Sequence, residues 1–380
     1  MIGIRVDSNS IIATGHMMRC ITIAKAIVRA GGSVTFFIAN EESEILLREN
    51  VNGLAGVNIV VLHTVWDDLE SELPVLIEQL QLRGINMLLV DSYKVTYDYF
   101  KAISRVCKTA YIDDLHEGIH PVDVLINYSG YYDMFNYEAD YAGVHGHDSK
   151  QTKLLLGLMY APLREQFYRA TEGEDPDAHK ESECKLSPDH GMNKTFDILL
   201  ACGGADTQNM ILPTLNVISD MGLGGEYSAL SGRVTNITWH VVVGDYVENK
   251  EEIRAFVPMH EGLVIHESVK DMATLMRSCD MAVVAAGTML TECAAVRLPA
   301  VFYQVADNQR YGVQYWSAPE RMIYAGNVTK DKDAVIASVI KSVNELIDNP
   351  GRINTMRDRL SDITDGRGAE RIAEELTSVR

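Results

Sequence analysis

The chain has 380 residues, 47% of them hydrophobic, enough for two ordinary α/β domains at about 100 to 200 residues each. A formal net charge of -19 and a pI near 5.0 exclude a broad nucleic-acid surface, which needs cationic side chains to displace counterions from phosphates. A small anionic ligand stays open, because the backbone N–H groups of a single helix N-terminus hold a phosphate whatever the overall charge.

In chain order, "IGIRV", "SVTFFIA", "NIVVL", "NMLLVDSY", "TAYIDD" and "VDVLIN" read as short strands. Helical patterns separate several of them, at Met17 to Ala30, "ELPVLIEQLQLRG" and "YDYFKAISRVC", and this alternation predicts a mostly parallel sheet covered on both faces. From Ala170 to Lys194 the composition turns polar and acidic and is broken by Pro176 and Pro188, as in an exposed connection. Beyond it the strands "TFDILLACGG", "ITWHVVVG", "GLVIHESV", "DMAVVAAG" and "PAVFYQV" alternate with helices ending near Met221, at "DMATLMRSC" and at "TMLTECAAVR", and amphipathic segments close the chain. The expected organisation is α/β: a Rossmann-like domain over 1–169, an acidic connector over 170–195 and a second Rossmann-like domain over 196–380. Two such domains facing across a cleft would turn the carboxyl ends of both sheets toward one ligand site.

Three strand-to-helix junctions carry chemistry. In "ATGHMMRC", Gly15 and His16 fall where the first strand gives way to the first helix; the dipole there disfavours a charged imidazole and keeps the ring able to accept a proton. A capping or packing histidine is the plain alternative. In "VVAAGTMLTECAAVRLPAV", the amides of Gly287, Thr288 and Met289 open a helix and can hold a diphosphate. Glu292 follows Thr288 by four residues, on the same helix face, placed to accept the two hydroxyls of a ribose; a Thr-capped helix with an acidic first turn is the plain alternative. In "LLACGGADTQN", Gly203 and Gly204 allow close backbone approach before a helix expected near Asp206.

Two motifs are set aside. "HEGIH", His116 to His120, has the letters of a zinc motif, but Gly118 and Pro121 oppose the single helix that would align both histidines. "DPD", Asp175 to Asp177, lies in the acidic connector and reads as solvated loop. The six cysteines, Cys20, Cys107, Cys184, Cys202, Cys279 and Cys293, form no C-x-x-C pair and read mostly as small core residues in a reducing compartment. The N-terminal segment lacks the basic and long apolar regions of a signal peptide, and no run approaches the roughly 20 apolar residues of a bilayer span. A cytoplasmic protein without membrane insertion is therefore expected; the oligomeric state is not legible.

Taken together and in order, the blocks "RVDSNSIIATGHMMRC", "LLVDSY", "YIDD" with His120, "DVLIN", "LLGLMYAPLREQF", "CGGADTQN", "AAGTMLTE" and "ADNQ" resemble the UDP-sugar hydrolases of pseudaminic acid biosynthesis. Those enzymes are relatives of the glycosyltransferase B fold and of spore-coat polysaccharide proteins. The resemblance implies inverting hydrolysis of a UDP-linked 2,4-diacetamido-2,4,6-trideoxy sugar, with no metal and no cofactor. It carries Arg5, Asp7 and Gly15 over as substrate-binding positions of the opening block, His16 as the base that activates water, and Tyr93 and Asn308 as residues lining the reaction centre. It further implies Glu292 on the ribose, the backbone around Val269 on the uracil, and Gly287, Thr288, Met289 and Gln309 along the diphosphate, with Gly203 and Gly204 of the "CGGADTQN" block kept as substrate-binding positions. A UDP-sugar-dependent glycosyltransferase would use the same cradle and histidine, and a non-catalytic sugar-nucleotide-binding protein would use the cradle alone. The tyrosine-rich "YSGYYDMFNYEADYAGVHGHDSK" lies outside the resemblance; its rings read either as packing or as part of a sugar pocket.

Overall fold

A computed structural model of the chain describes residues 1–9, 15–147, 150–168, 195–228 and 234–378. The acidic connector, with Asp175, Asp177 and Cys184, and the residues immediately before Gly15 lie outside the described set. The chain divides into two compact units: Met1–Arg164 with Gly366–Arg380, and Glu165–Asp365.

The first unit runs β1 (Ile2–Val6), α1 (Gly15–Arg29), β2 (Val34–Ile38), α2 (Glu41–Val51), β3 (Val57–Val61), α3 (Leu69–Leu82), β4 (Met87–Asp91), α4 (Tyr97–Ile103), β5 (Lys108–Ile112), β6 (Val124–Asn127), α5 (Tyr137–Asp140) and β7 (Lys153–Leu156). Its strands are parallel in the order β3-β2-β1-β4-β5-β6-β7. The order reverses between β1 and β4, the position where open α/β sheets bind ligands beyond their carboxyl ends. Helices cover both faces, so β1, β2 and β4 are buried at every position and read as continuous apolar runs rather than alternating ones. Helix α1 buries Met17, Cys20, Ile21, Ala24 and Ile27, one stripe at helical spacing.

The second unit comprises β8 (Thr195–Ala201), α6 (Ile211–Asp220), β9 (Gly225–Ser228), β10 (Val234–Val243), α7 (Lys250–Phe256), β11 (Leu263–Glu267), α8 (Met272–Ser278) and β12 (Met281–Ala285). It continues with α9 (Thr288–Ala295), β13 (Ala300–Gln304), α10 (Arg310–Trp316), β14 (Ile323–Asn327), α11 (Lys332–Asp348) and α12 (Pro350–Leu360). Its parallel order is β11-β10-β8-β12-β13-β14, with β9 antiparallel on β10, and the switch point falls between β8 and β12. The two glycine-bearing loops singled out in the sequence follow these two strands.

The expected extent of the second domain to residue 380 is corrected by the last helix, α13 (Gly368–Ser378), which belongs to the first unit. Its apolar side, Ala369, Ile372, Ala373 and Leu376, joins the core of α1 and β1. Arg371 donates to the Met159 carbonyl at 2.9 Å, and Gly368 lies so close to the segment at Ala161 that a Cβ there would sit 2.2 Å from the Ala161 carbonyl oxygen. The alternation pattern could not show this, because a terminal amphipathic helix carries no mark of which sheet it returns to.

Candidate functional sites in the two units

At the switch point of the first unit, Gly15 opens α1 and His16 is its second residue. The end of β4 brings Asp91 to it: His16 Nδ1 lies 2.6 Å from Asp91 Oδ1. Two groups address Nδ1, the acceptor-only Asp91 carboxylate and the Arg19 Nη2 at 3.0 Å; the shorter carboxylate contact favours the proton on Nδ1, which leaves the Nε2 lone pair as the acceptor of the ring. Arg19, three residues on and therefore on the same side of α1, holds the carboxylate in place. Its Nε donates to Asp91 Oδ2 at 2.6 Å and its Nη2 to Asp91 Oδ1; its Nη1 reaches Asp114 Oδ2 at 2.9 Å and the Tyr128 hydroxyl. Tyr93 meets the His16 ring edge-on, with centroids 4.6 Å apart, and donates its hydroxyl to Asp114 Oδ2 at 3.1 Å. Tyr93 is 42% exposed, so one face of this cluster is open to solvent.

Burial alone would push the Asp91 carboxyl up; the Arg19 charge and the hydrogen bonds from Arg19 and His16 outweigh it and hold the group well below the usual carboxylate range. A depressed native value contributes stability above the unfolded carboxylate pKa of about 3.9, and that contribution is lost as pH falls through the native value. Asp91→Asn is therefore expected to cost stability fully above about pH 5 and progressively less below about pH 4. Urea unfolding across this range checks it; a cost independent of pH contradicts the charge pairing.

The sequence reading missed Asp91, Arg19, Asp114 and Tyr128 as site residues. A signal was present for two of them: Arg19 sits one helical turn from His16, and Asp91 ends a predicted strand. It also placed Arg5 and Asp7 against substrate, which the structure corrects. Arg5 is 1% exposed and lies in a closed ion cluster, donating from Nε and Nη2 to the two oxygens of Glu72 at 2.8 and 2.7 Å and from Nη1 to Asp7. Tyr99 donates to Glu72 Oε1 at 2.9 Å, and Asp7 Oδ1 accepts from the Ala39 amide at 2.7 Å and from the Ser43 hydroxyl. These groups satisfy one another inside the domain, as buried charges must, and tie the start of the β1–α1 connection to α2 and α3.

In the second unit, Gly203, at φ +83°, and Gly204 both have open space on the side a Cβ would occupy. The loop after β10 braces them from behind: the Tyr246 amide donates to the Gly204 carbonyl at 3.1 Å, and a Cβ on Gly244 would lie 2.2 Å from the same oxygen. The helix expected near Asp206 begins at Ile211 instead. Asp206 is its cap from a distance, its buried carboxylate accepting from the amides of Met210 and Ile211 at 2.8 to 2.9 Å. A carboxylate already occupies that terminus, which leaves no place there for a phosphate.

Helix α9 is the opposite case. Its N-cap is Gly287, at φ +151°, and no side chain caps it; Thr288 is the first helical residue, so the plain alternative of a threonine cap is not realised. The Leu290 amide donates to the Gly287 carbonyl at 3.2 Å, while the Thr288 and Met289 amides open the helix without a side-chain cap beside an open glycine, the arrangement that receives anions. Glu292 is partly buried on α9, and Val269 is partly buried in the segment between β11 and α8. Asn308 is exposed in a single turn, Asp307–Gln309, after β13. Gln309 is a brace rather than a diphosphate contact: its Oε1 accepts from the Val305 and Ala306 amides at 2.9 and 3.3 Å, and its Nε2 donates to the Ala286 carbonyl at 2.7 Å, next to Gly287.

The histidines of "HEGIH" share no helix. His116 has φ +54° and bonds through Nε2 to Asp140 at 2.9 Å, while His120 packs against Phe100 and Tyr111. Of the tyrosine-rich stretch, Tyr137 and Tyr141 are core residues, whereas Tyr128 touches the His16–Asp91 cluster through Arg19. Among the described residues no group of three or more His, Cys, Asp or Glu side chains is arranged to hold a metal ion, the five described cysteines are buried and free, and no helix is long and apolar enough to cross a membrane.

No protein-family model matches the chain, and no curated protein matches it significantly in sequence. Solved structures do match over its whole length. MurG of Acinetobacter baumannii has a TM-score of 0.68 at 11% identity, covering 100% of this chain and 99% of that one. The spinosyn rhamnosyltransferase SpnG scores 0.57 at 12% identity with coverages of 98% and 100%. A UDP-GlcNAc 2-epimerase of Neisseria meningitidis, solved with UDP-GlcNAc bound, scores 0.57 at 12% identity and covers 100% of each chain. At this identity the likeness is one of fold: two Rossmann-like α/β domains of the glycosyltransferase B kind.

Proposed function

We propose that this chain is a nucleotide-sugar enzyme, a UDP-sugar-dependent glycosyltransferase in which the His16–Asp91 pair takes a proton from an attacking hydroxyl. One observation carries the reading: the 2.6 Å contact between His16 Nδ1 and Asp91 Oδ1, which orients a ring nitrogen with a free lone pair at the open end of a parallel sheet. The likeness in fold to a rhamnosyltransferase and to an epimerase that binds UDP-GlcNAc supports the substrate class.

In this reading the second unit holds the nucleotide. The amides of Gly287, Thr288 and Met289 receive the diphosphate with Gly203 and Gly204 alongside, Glu292 accepts from the ribose hydroxyls, and the backbone around Val269 meets the uracil. The first unit supplies the base: as an acceptor hydroxyl attacks the anomeric carbon, its proton passes to His16 Nε2 and the bond to the UDP oxygen breaks on the opposite face, with inversion. Asp91 stabilises the imidazolium that forms, Arg19 keeps Asp91 in register, and Tyr93 and Asn308 border the reacting sugar. A nucleoside diphosphate departs without the carboxylic acid that an ordinary glycosidase supplies. Preorganised N–H donors at α9 stabilise the charge that develops on it, and no step calls for a metal.

Hydrolysis is the second reading, and the ordered sequence blocks favour it: water replaces the acceptor, and a UDP-linked 2,4-diacetamido-2,4,6-trideoxy sugar is the substrate the resemblance implies. Incubation with UDP-sugars, with and without sugar acceptors, decides. UDP release that depends on an acceptor supports transfer; equally fast release in water alone rejects it in favour of hydrolysis. Binding of the UDP-sugar with no turnover under either condition leaves a binding protein and overturns both.

A further inference from the structure

The loops that follow β4 and β5 meet beside His16. The two strands are parallel neighbours with Val90 opposite Tyr111, so Tyr93 and Asp114, each three residues further on, are delivered side by side. The Tyr93 hydroxyl lies 3.1 Å from Asp114 Oδ2, and the same oxygen accepts from Arg19 Nη1 at 2.9 Å. A carboxylate paired with a guanidinium accepts and does not donate, so the proton in the Tyr93 contact is the phenol's own. Burial, and after it the Asp114 charge, raise the phenol above its ordinary value, and it keeps that proton at neutral pH. The Arg5 cluster is closed on itself; this one is not. Tyr93 stands 42% exposed, and the shielded second oxygen of Asp114, Oδ1, has no hydrogen-bond partner among the described residues.

We propose that Tyr93 and Asp114 set the chemical class of the acceptor. Asp114 holds the Tyr93 proton, Tyr93 therefore offers a ligand lone pairs alone, and the site selects a polyol whose second hydroxyl donates to Tyr93 while its first gives a proton to His16. This assignment rests on the glycosyl-transfer reading above and adds to it the acceptor's second contact.

The His16 and Tyr93 rings touch edge-on, with centroids 4.6 Å apart, so one ligand can reach both. Toward that ligand each is an acceptor, His16 through Nε2 and Tyr93 through the oxygen whose proton is turned to Asp114. As the reacting hydroxyl bonds the anomeric carbon, its proton passes to Nε2. The second hydroxyl keeps its proton, and Tyr93 neither gives nor takes one. A simple alcohol leaves the Tyr93 oxygen to water. An ether oxygen in the same place sets two acceptors face to face, the mismatch by which a site built for a donor rejects an analogue lacking it. Asp114 touches no reacting atom; it is a positioning residue that fixes the direction of the Tyr93 hydroxyl.

The test compares three alcohols of one carbon skeleton, 1-propanol, glycerol and 2,3-dimethoxy-1-propanol, as acceptors for the UDP-sugar that is turned over in the incubations above. In the wild type, kcat/KM for glycerol should exceed that for 1-propanol by about 3- to 10-fold beyond the factor of two from its two primary hydroxyls, and the dimethyl ether should do no better than 1-propanol. Tyr93→Phe should bring glycerol down to 1-propanol. Asp114→Ala frees the Tyr93 proton to face the ligand and should raise the ether about 3- to 10-fold over 1-propanol, a change of preference that loss of packing does not produce. Circular dichroism identifies an Asp114→Ala protein that does not fold, in which case the wild type and Tyr93→Phe decide. Three results overturn the assignment while leaving the transfer reading in place: a wild type for which glycerol is no better than 1-propanol, a Tyr93→Phe protein that keeps the preference, or a folded Asp114→Ala protein that still rejects the ether. UDP release in water that neither alcohols nor sugars alter overturns the transfer reading itself, and this assignment with it.

Discussion

His16→Ala is expected to lower turnover of a UDP-sugar by about 10²- to 10⁴-fold, the range of general-base catalysis, while leaving UDP affinity nearly unchanged. The split follows from where the groups reside. The imidazole acts on a proton that is in flight only in the transition state, so its removal lowers kcat and kcat/KM together, and the proposed nucleotide ligands belong to the other unit. Asp91 enters the same argument, because it decides which nitrogen of His16 carries the proton. Steady-state kinetics paired with UDP binding checks the expectation. Turnover reduced less than tenfold would remove His16 from the mechanism, and a parallel loss of UDP affinity would make it a binding residue instead.

Glu72→Gln should destabilise the first unit by about 3 to 5 kcal/mol, the usual result of stripping a buried ion of its partner. Glu72 is fully buried and takes both Nε and Nη2 of Arg5. With its charge gone, the 1% exposed guanidinium keeps Asp7 alone, and Asp7 also serves Ala39 and Ser43. Since α3 would lose its charged tie to β1, denaturant-dependent amide exchange should report lower protection in β1 and β4 and unchanged protection in β8 and β12. A loss under about 1 kcal/mol would mean that the cluster is dispensable to the fold.

The division of the site between legible and illegible parts has a physical basis. Strand and helix alternation is written locally, so β1 to β6 and most elements of the second unit could be read from runs and stripes. The junctions at Gly15–His16 and Gly287–Met289 were legible for the same reason: a strand end, a glycine and a helix start are neighbours in sequence. What joins distant segments was not. Asp91 lies 75 positions from His16, and only the parallel pairing of β1 with β4 sets the two ends side by side.

Arg5 and Gln309 show the converse. Each sits in a block that points to ligand, yet each is occupied by protein: Arg5 because the adjoining helix α3 carries Glu72, Gln309 because its amide closes onto three backbone groups. A helix start near Asp206 was legible, but its delay to Ile211 and a cap reaching Met210 and Ile211 are set by the loop's left-handed turn, with φ +43° at Asp206, which composition does not reveal. Helix α13 escaped for a related reason, since an apolar stripe names no partner.

In the proposed reaction the second unit binds the sugar nucleotide and His16 of the first unit takes the proton of the attacking hydroxyl. A crystal structure of the His16→Ala protein with an intact UDP-sugar bound is the decisive test. The diphosphate is expected on the Thr288 and Met289 amides of α9 beside Gly287, the ribose hydroxyls on Glu292, and the anomeric carbon turned toward residue 16. A nucleotide bound elsewhere, or a sugar turned away from residue 16, would contradict it.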